Sequence, residues 1–332
     1  MPDSIDLAGF ATTATDYAHD NKLHLHTKLL APGMNGIPGS PIKPLDSYVQ
    51  GIPTKDRVLL YDFKIGDVLQ PDKREGFTPT NNVLKFKNRW SHVEEAKINL
   101  RFTEKSLVAL QNSFLGMLAT PATAKLTLDK FPVFEAFVID KILEKAKVEM
   151  RNRVVFNGVL NPALATPQSI FNGWLKIIDD LIISGDIPAG NIAAIDAITA
   201  QNAVTEHLKI VDLLPSEYLY SGTIVSLCAP EHMKNYNKHY QTSRGNIVYN
   251  TEFMKQYIEG TNIEMIVEPG LTGTESPILT TRDNLVMLYD ADYESMTLGF
   301  DYNKRSEDLA YILKFQAAVD LIDPTEIWMG NV

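Results

Sequence analysis

The sequence predicts an α+β fold, and three observations predict it. A stretch from Pro132 to about Val155 repeats apolar residues every four positions, as a long helix does. The last 50 residues alternate apolar and polar, as strands do, and the block between mixes both periodicities. At 332 residues the chain is long enough for about two domains and an ample core.

The elements follow in chain order. A weak helical pattern from Asp16 to Leu30 gives way to Pro32, Gly33, Gly36, Pro38, Gly39, Pro41, Pro44 and Pro53. Such a segment builds no core of its own. It is either a loose tail or an extended arm ordered by another subunit. Val58 to Phe63 reads as a strand, Gln70 to Asn82 as a polar turn region, and Val83 to Trp90 as a second strand. In that second strand Phe86 is opposed in phase to Lys85 and Lys87, and the pair forms a hairpin excursion with a long tip. Ala96, Ile98, Leu100 and Phe102 alternate with Lys97, Asn99 and Arg101, a half-buried strand.

Pro132 suits a first helical position, because its missing N–H costs nothing there. Phe134, Val138, Ile142, Ala146 and Met150 form the apolar stripe of a helix roughly 35 Å long, which Asn157-Gly158 ends. Beyond it come a helix through Ile170, Trp174, Ile178 and Leu181 stopped by Gly185, and another through Val204, Leu208 and Val211. Thr223 to Cys228 reads as a buried strand, Pro230 opens a helix with Met233, Tyr236 and Tyr240, and Ile263, Met265 and Val267 alternate as a strand. Leu285 to Tyr289 is a continuous apolar run, followed by a hairpin through Met296, Leu298, Phe300 and Tyr302, then Tyr311, Leu313 and Phe315. A lone hairpin is marginal in water, and its most economical partners are the long helix and the strand near residue 98. The middle block is then an insertion in a discontinuous domain.

Composition narrows the function classes. Hydrophobic residues make up 45% and charged residues 22%, which suits globular material and excludes a wholly disordered chain. A formal net charge of −10 argues against a nucleic-acid grip, which needs clustered Lys and Arg to displace counterions. An acidic wall still suits the enclosure of DNA, because repulsion keeps the polymer from adhering. The single cysteine, Cys228, excludes an intramolecular disulfide and a cysteine-based zinc site. The opening Met-Pro-Asp-Ser-Ile-Asp is acidic where a signal peptide is basic, and no run approaches the roughly 18 apolar residues of a membrane span.

Motifs that carry chemistry are absent. There is no phosphate-cradling Gly-x-x-x-x-Gly-Lys loop, no Gly-x-Ser-x-Gly elbow and no His-Glu-x-x-His. Gly33, Gly36 and Gly39 follow no strand and read as turn residues. His24 and His26 lack a third ligand nearby, and His232 and His239 share a helix face but stand about 10 Å apart. Asp179 and Asp180 read as a solvated face beside Lys176, and Cys228 as a small buried thiol. No catalytic, cofactor-binding or metal-binding residue is expected.

The C-terminal third resembles the major capsid proteins of tailed bacteriophages, which share the Johnson fold of the Hong Kong phage type. The resemblance rests on Ile278-Leu-Thr-Thr-Arg-Asp-Asn-Leu-Val286, Tyr311-Ile-Leu-Lys-Phe-Gln-Ala-Ala-Val-Asp320 and Asp323-Pro-Thr-Glu-Ile327. Upstream, Asn157-Gly-Val159 and Phe171-Asn-Gly-Trp-Leu-Lys-Ile-Ile-Asp179 resemble the passage from spine helix into axial domain, and the element order matches over nearly the whole chain. The resemblance implies an N-terminal arm at 1–53 and an extended loop at 54–95. It implies a peripheral domain at 96–169 and 290–332 built on a spine helix, and an axial domain at 170–289. The implied function is a self-assembling icosahedral head shell of hexamers and pentamers around packaged double-stranded DNA. The implied partners are scaffolding, portal and decoration proteins, with no membrane, and the implied place is the virion after assembly in the host cytoplasm. An N-terminal scaffold region that is cleaved away is not expected, since only ~50 residues precede the first strand and they are rich in Pro and Gly.

Family members commonly lay the loop over a neighbour's spine. From Lys55 to Arg101 ten Lys or Arg stand against seven Asp or Glu. Lys85, Lys87 and Arg89, with Trp90, are therefore expected to face Glu135, Glu144 or Glu149 of another copy, though a solvated strand face explains any one lysine equally. The alternatives are an encapsulin-like nanocompartment shell, a tail or connector component, and a small-molecule enzyme with a site between two domains.

Overall fold

The computed structural model describes residues 6–30, 42–66, 69, 84–118, 134–243, 256–290 and 297–331. The Pro/Gly cluster from Pro32 to Pro41, the turn region Gln70 to Asn82, and Pro132 and Met296 lie outside the described residues.

The chain opens with helices α1 (Leu7–Asp20) and α2 (Lys22–Leu30) and strands β1 (Val49–Thr54), β2 (Arg57–Ile65), β3 (Leu84–His92) and β4 (Glu94–Thr103). Helices α3 (Glu104–Leu118), α4 (Phe134–Glu149) and α5 (Trp174–Ser184) follow, then β5 (Ile192–Ala194), α6 (Ala203–Val211) and β6 (Ile224–Cys228). The remainder is α7 (Pro230–Ser243), β7 (Glu264–Val267), β8 (Ile278–Thr281), β9 (Leu285–Asp290), β10 (Thr297–Asn303), β11 (Asp308–Leu321) and β12 (Ile327–Asn331). The chain divides into two compact units. Unit 1 takes residues 1–31, 94–151 and 289–317, and unit 2 takes 32–93, 152–288 and 318–332.

In unit 1 the first ten residues of β11 run antiparallel between β10 and β4, with Tyr311 opposite both Phe300 and Leu100. This is the partnership that the marginal stability of a lone hairpin demanded. The strand alternation places Ile98, Leu100, Leu309, Tyr311, Leu313 and Phe300 on one face. Helices α1 and α4 complete the core: the Phe10 ring lies 5.6 Å from both Phe134 and Phe300. Asp6 starts α1 by accepting from the amides of Ala8 and Gly9. Thr15 of α1 then meets the backbone of Phe300, accepting from its amide at 3.2 Å and donating to its carbonyl at 3.4 Å.

Unit 2 is built on a five-stranded sheet in the order β5-β12-β8-β6-β7. The end pairs β12–β5 and β6–β7 are parallel, and the central pairs β12–β8 and β8–β6 are antiparallel. Its main core gathers Val204, Ile210, Met233, Tyr236, Met265, Leu279 and Trp328 from the sheet and from α6 and α7. Gly185, at φ 78°, ends α5 in the left-handed region, which costs glycine nothing. A smaller core of Val286, Leu288 and Ala318, with Ile52, Val58, Val93 and Ile322 against it, roots the β2–β3 hairpin.

Three stretches bear on the expected boundaries. Residues 7–30, placed in the arm with a weak helical pattern from Asp16 to Leu30, are two helices whose Leu7, Phe10, Ala14, Ala18, Leu25 and Leu29 are buried. Alanines at helical spacing give little hydrophobic contrast, so this core face is faint in the sequence. Residues 152–169, expected in the peripheral domain, fall in unit 2. A backbone crossing ties them there: Gly173 donates to Gly158, Trp174 to Val155 and Leu175 to Phe156. Residues 318–332, also expected there, fall in unit 2 because β12 pairs with β5 and β8.

Candidate assembly surface

The register of the hairpin assigns every side chain to a face, because directly opposed residues point the same way. Leu59 pairs with Trp90, Tyr61 with Asn88, Phe63 with Phe86 and Ile65 with Leu84 on one face. Val58 pairs with Ser91 and Leu60 with Arg89 on the other, which Lys64 and Lys87 share.

The polar face is anchored. Leu60 and Ser91 are buried, and Arg89 donates to the Asp320 carboxylate and to the Leu321 carbonyl. Lys87 pairs with Asp186, and Lys64 with Asp323 and the Thr325 hydroxyl. The Lys87 ammonium holds the Asp186 carboxyl below its ordinary range. Burial pushes the Asp320 carboxyl up, against the lowering pull of Arg89. Exposed pairs such as Lys87–Asp186 contribute about 0–1 kcal/mol each. Arg89–Asp320 is more shielded, and removing one partner leaves the other charge desolvated.

The apolar face is open. Exposure is 64% at Tyr61, 48% at Phe63, 57% at Ile65, 54% at Leu84, 67% at Phe86 and 54% at Trp90. The rings of Phe63 and Phe86 stack across the strands at 4.9 Å, and the Arg57 guanidinium lies 4.7 Å from the Trp90 ring. Tyr61 and Phe63 also border an open cleft of about 350 Å³ that Arg282, Asp283 and Glu326 line from the other side. A two-stranded ribbon with Lys64, Lys87 and Arg89 bonded to its own unit and its aromatics exposed inverts the usual amphipathic arrangement.

The expected contact residues divide accordingly. Lys87 and Arg89 are engaged within unit 2, Lys85 stands opposite Lys64, and Trp90 lies on the open face. On α4 of unit 1, Glu144 pairs with Lys141 at 2.8 Å and Glu149 with Lys145 at 3.2 Å, while one Glu135 oxygen is buried without a hydrogen bond among the described residues. The phase of Phe86 against the lysines was visible in the sequence, but Tyr61, Phe63, Ile65 and Leu84 were not singled out. Their signal was that same alternation carried into both strands.

Elsewhere the titratable groups have structural partners or are buried in the core. Burial, then Glu268, pushes the Cys228 thiol up to about 12, far from a nucleophile's range. His239 accepts from the Val204 amide, and Asp180 pairs with Lys176. Among the described residues no cluster of His, Cys, Asp or Glu is placed to hold a metal ion, and no helix is long and apolar enough to cross a membrane.

No family model and no curated protein sequence matches the chain. Solved structures do. The chain is similar to one in the procapsid of satellite phage P4, at 11% identity and a TM-score of 0.53, over 85% of this chain and 91% of that one. Mycobacterium phage Ogopogo gives 12% identity and 0.49, over 85% and 89%. The holo-encapsulin complex of Synechococcus elongatus gives 9% and 0.46, over 85% and 84%. The first likeness establishes the fold: this α+β chain shares that of a phage procapsid.

Proposed function

We propose that the chain is the major subunit of an icosahedral phage head shell, assembling with itself into hexamers and pentamers around packaged double-stranded DNA. The observation that carries this is a fold shared with a procapsid chain over 85% of this chain and 91% of that one. The net charge of −10 supports a wall that encloses DNA without gripping it. The inverted hairpin supports self-association, since it holds an apolar face that its own unit leaves open.

In this reading residues 54–95 are the extended loop, α4 is the spine of the peripheral domain, and the five-stranded sheet of unit 2 belongs to the axial domain. Trp90 is the contact residue best placed for a neighbour. A contact of Lys85, Lys87 and Arg89 with Glu135, Glu144 or Glu149 of another copy is a separate, electrostatic proposal, since Lys87 and Arg89 lie on the face opposite Trp90. The protein acts by assembly and not by catalysis, needs no cofactor, and works with scaffolding, portal and decoration proteins. It resides in the virion after assembly in the host cytoplasm.

Size-exclusion chromatography of the expressed chain, with negative-stain microscopy of the leading fraction, tests this. Hollow particles of uniform diameter in the void volume are expected. A species of one to a few copies of the 37.1 kDa chain under all assembly conditions refutes it.

A further inference from the structure

We propose that the crossing where residues 155–158 meet 171–175 is a guarded modification site: Asn157 and Asn172 deamidate in an opened chain, the folded crossing blocks the reaction, and a chain modified at Asn157 rebuilds the crossing less stably.

The sequence supplies the chemistry. The chain holds three Asn-Gly pairs, Asn35-Gly36, Asn157-Gly158 and Asn172-Gly173, and the crossing takes two of them. Asparagine is among the thermolabile residues, and a following glycine makes it more so, because no side chain shields the next backbone nitrogen and the backbone there turns freely. That nitrogen attacks the asparagine Cγ. A C–N bond forms to it, the bond from Cγ to the side-chain nitrogen breaks, and ammonia leaves with the proton of the glycine amide. Water then opens the cyclic imide at either carbonyl. The product is aspartate, or isoaspartate with the side-chain carbons carried into the main chain.

The crossing itself demands both glycines, since a Cβ at either would stand against backbone. The same geometry disarms them. The Gly158 nitrogen donates to the Val154 carbonyl at 2.8 Å, and the Gly173 nitrogen to the Gly158 carbonyl at 2.9 Å. Both nitrogens are thus engaged in main-chain bonds, and both glycines are buried. The side chains are held as well: Asn157 donates to the Gly270 carbonyl, and Asn172 accepts from the Leu160 amide at 2.8 Å. All of these groups lie within unit 2. Attack at either site therefore waits until the crossing opens. Deamidation then sorts chains by how long they stay open: one that folds promptly keeps both asparagines, and one that lingers carries a lasting mark.

The two sites differ in what the mark does. Asn157 acts through its amide nitrogen, so a carboxylate there sets an acceptor against the Gly270 carbonyl with no donor between them. Asn172 acts through its oxygen, and a carboxylate still accepts from Leu160. Isoaspartate is worse at both, because it lengthens the main chain beside a glycine packed against backbone.

Peptide mapping by mass spectrometry of the whole chain, aged at pH 8 in buffer and in urea, tests the guard. Deamidation at Asn157 and Asn172 should be at least about 100-fold slower in buffer, where it waits on opening. Comparable rates in the two conditions, or no reaction at either site in urea, overturns the proposal.

Asn157→Asp and Asn172→Asp test the consequence by urea unfolding. The midpoint should fall in Asn157→Asp and hold in Asn172→Asp, and failure of Asn157→Asp alone to fold is the same result in stronger form. Equal midpoints, a larger fall in Asn172→Asp, or failure of both to fold overturns the difference between the sites.

Discussion

Gly173 donates its amide to the carbonyl of Gly158 at 2.9 Å, and neither position has room for a side chain. A Cβ on Gly158 would stand 2.3 Å from the Phe171 carbonyl oxygen, and one on Gly173 would stand 2.5 Å from that of Phe156. Both obstacles are backbone, which cannot swing aside. This crossing is what carries residues 155–158 into unit 2 beside the start of α5.

Gly158→Ala and Gly173→Ala should therefore each lose about 1–3 kcal/mol of stability. Gly190→Ala, where nothing lies within 4 Å, should change little. Urea unfolding of the three variants checks this, and equal midpoints for all three would contradict it.

His207 gives a pH dependence of known sign. Its side chain is fully buried, neither ring nitrogen has a hydrogen-bond partner among the described residues, and its ring meets that of Tyr236 at 5.1 Å. Burial, then neighbouring His232, lowers its pKa from 6.5 to about 3. Burial lowers His232 as well, against the raising pull of Glu231 and of a hydrogen bond that its ring donates to the Thr274 backbone. The unfolded chain thus takes up protons below about pH 6.5 that the folded chain refuses. Stability is fully present above that pH and falls as the pH drops toward 3. His207 alone should account for a loss on the order of 2 kcal/mol by pH 5. Denaturation at pH 7.5 and pH 5, with His207→Leu as control, measures it. An equally steep loss in the variant would assign the effect elsewhere.

The Thr15 hydroxyl satisfies both backbone groups of Phe300 on β10. Thr15→Val keeps the shape and removes both bonds, which should cost about 1 kcal/mol. Exchange of the Phe300 amide should quicken in step, and unchanged protection there would show that Thr15 does not guard the strand.

Cys228 is buried on β6, and its raised pKa keeps it a thiol at neutral pH. Alkylation at pH 8 should be at least about 100-fold slower in the native protein than in urea. Rapid native labelling would show that the core of unit 2 opens readily.

Periodicity made much of this fold legible. The alternation through Ala96–Phe102 and Tyr311–Phe315 identified both strands, and their pairing followed from the instability of a lone hairpin. Helix α3 was missed although Leu107, Leu110 and Phe114 carry helical spacing and Thr103 receives the Ser106 amide at its start. Strands β5 and β12 were missed because three to five residues hold too few alternations to stand out. At the assembly surface, phase showed that Phe86 and Lys87 point opposite ways. It could not show which side the body would cover, because that depends on Asp186, Asp320 and Asp323, about a hundred or more residues distant.

Cryo-electron microscopy of the particles that the purified chain forms tests the shell most directly. Closed shells with fivefold and sixfold clusters of this chain are expected. Rings, tubes or a dispersed 37.1 kDa species without closed shells would contradict it.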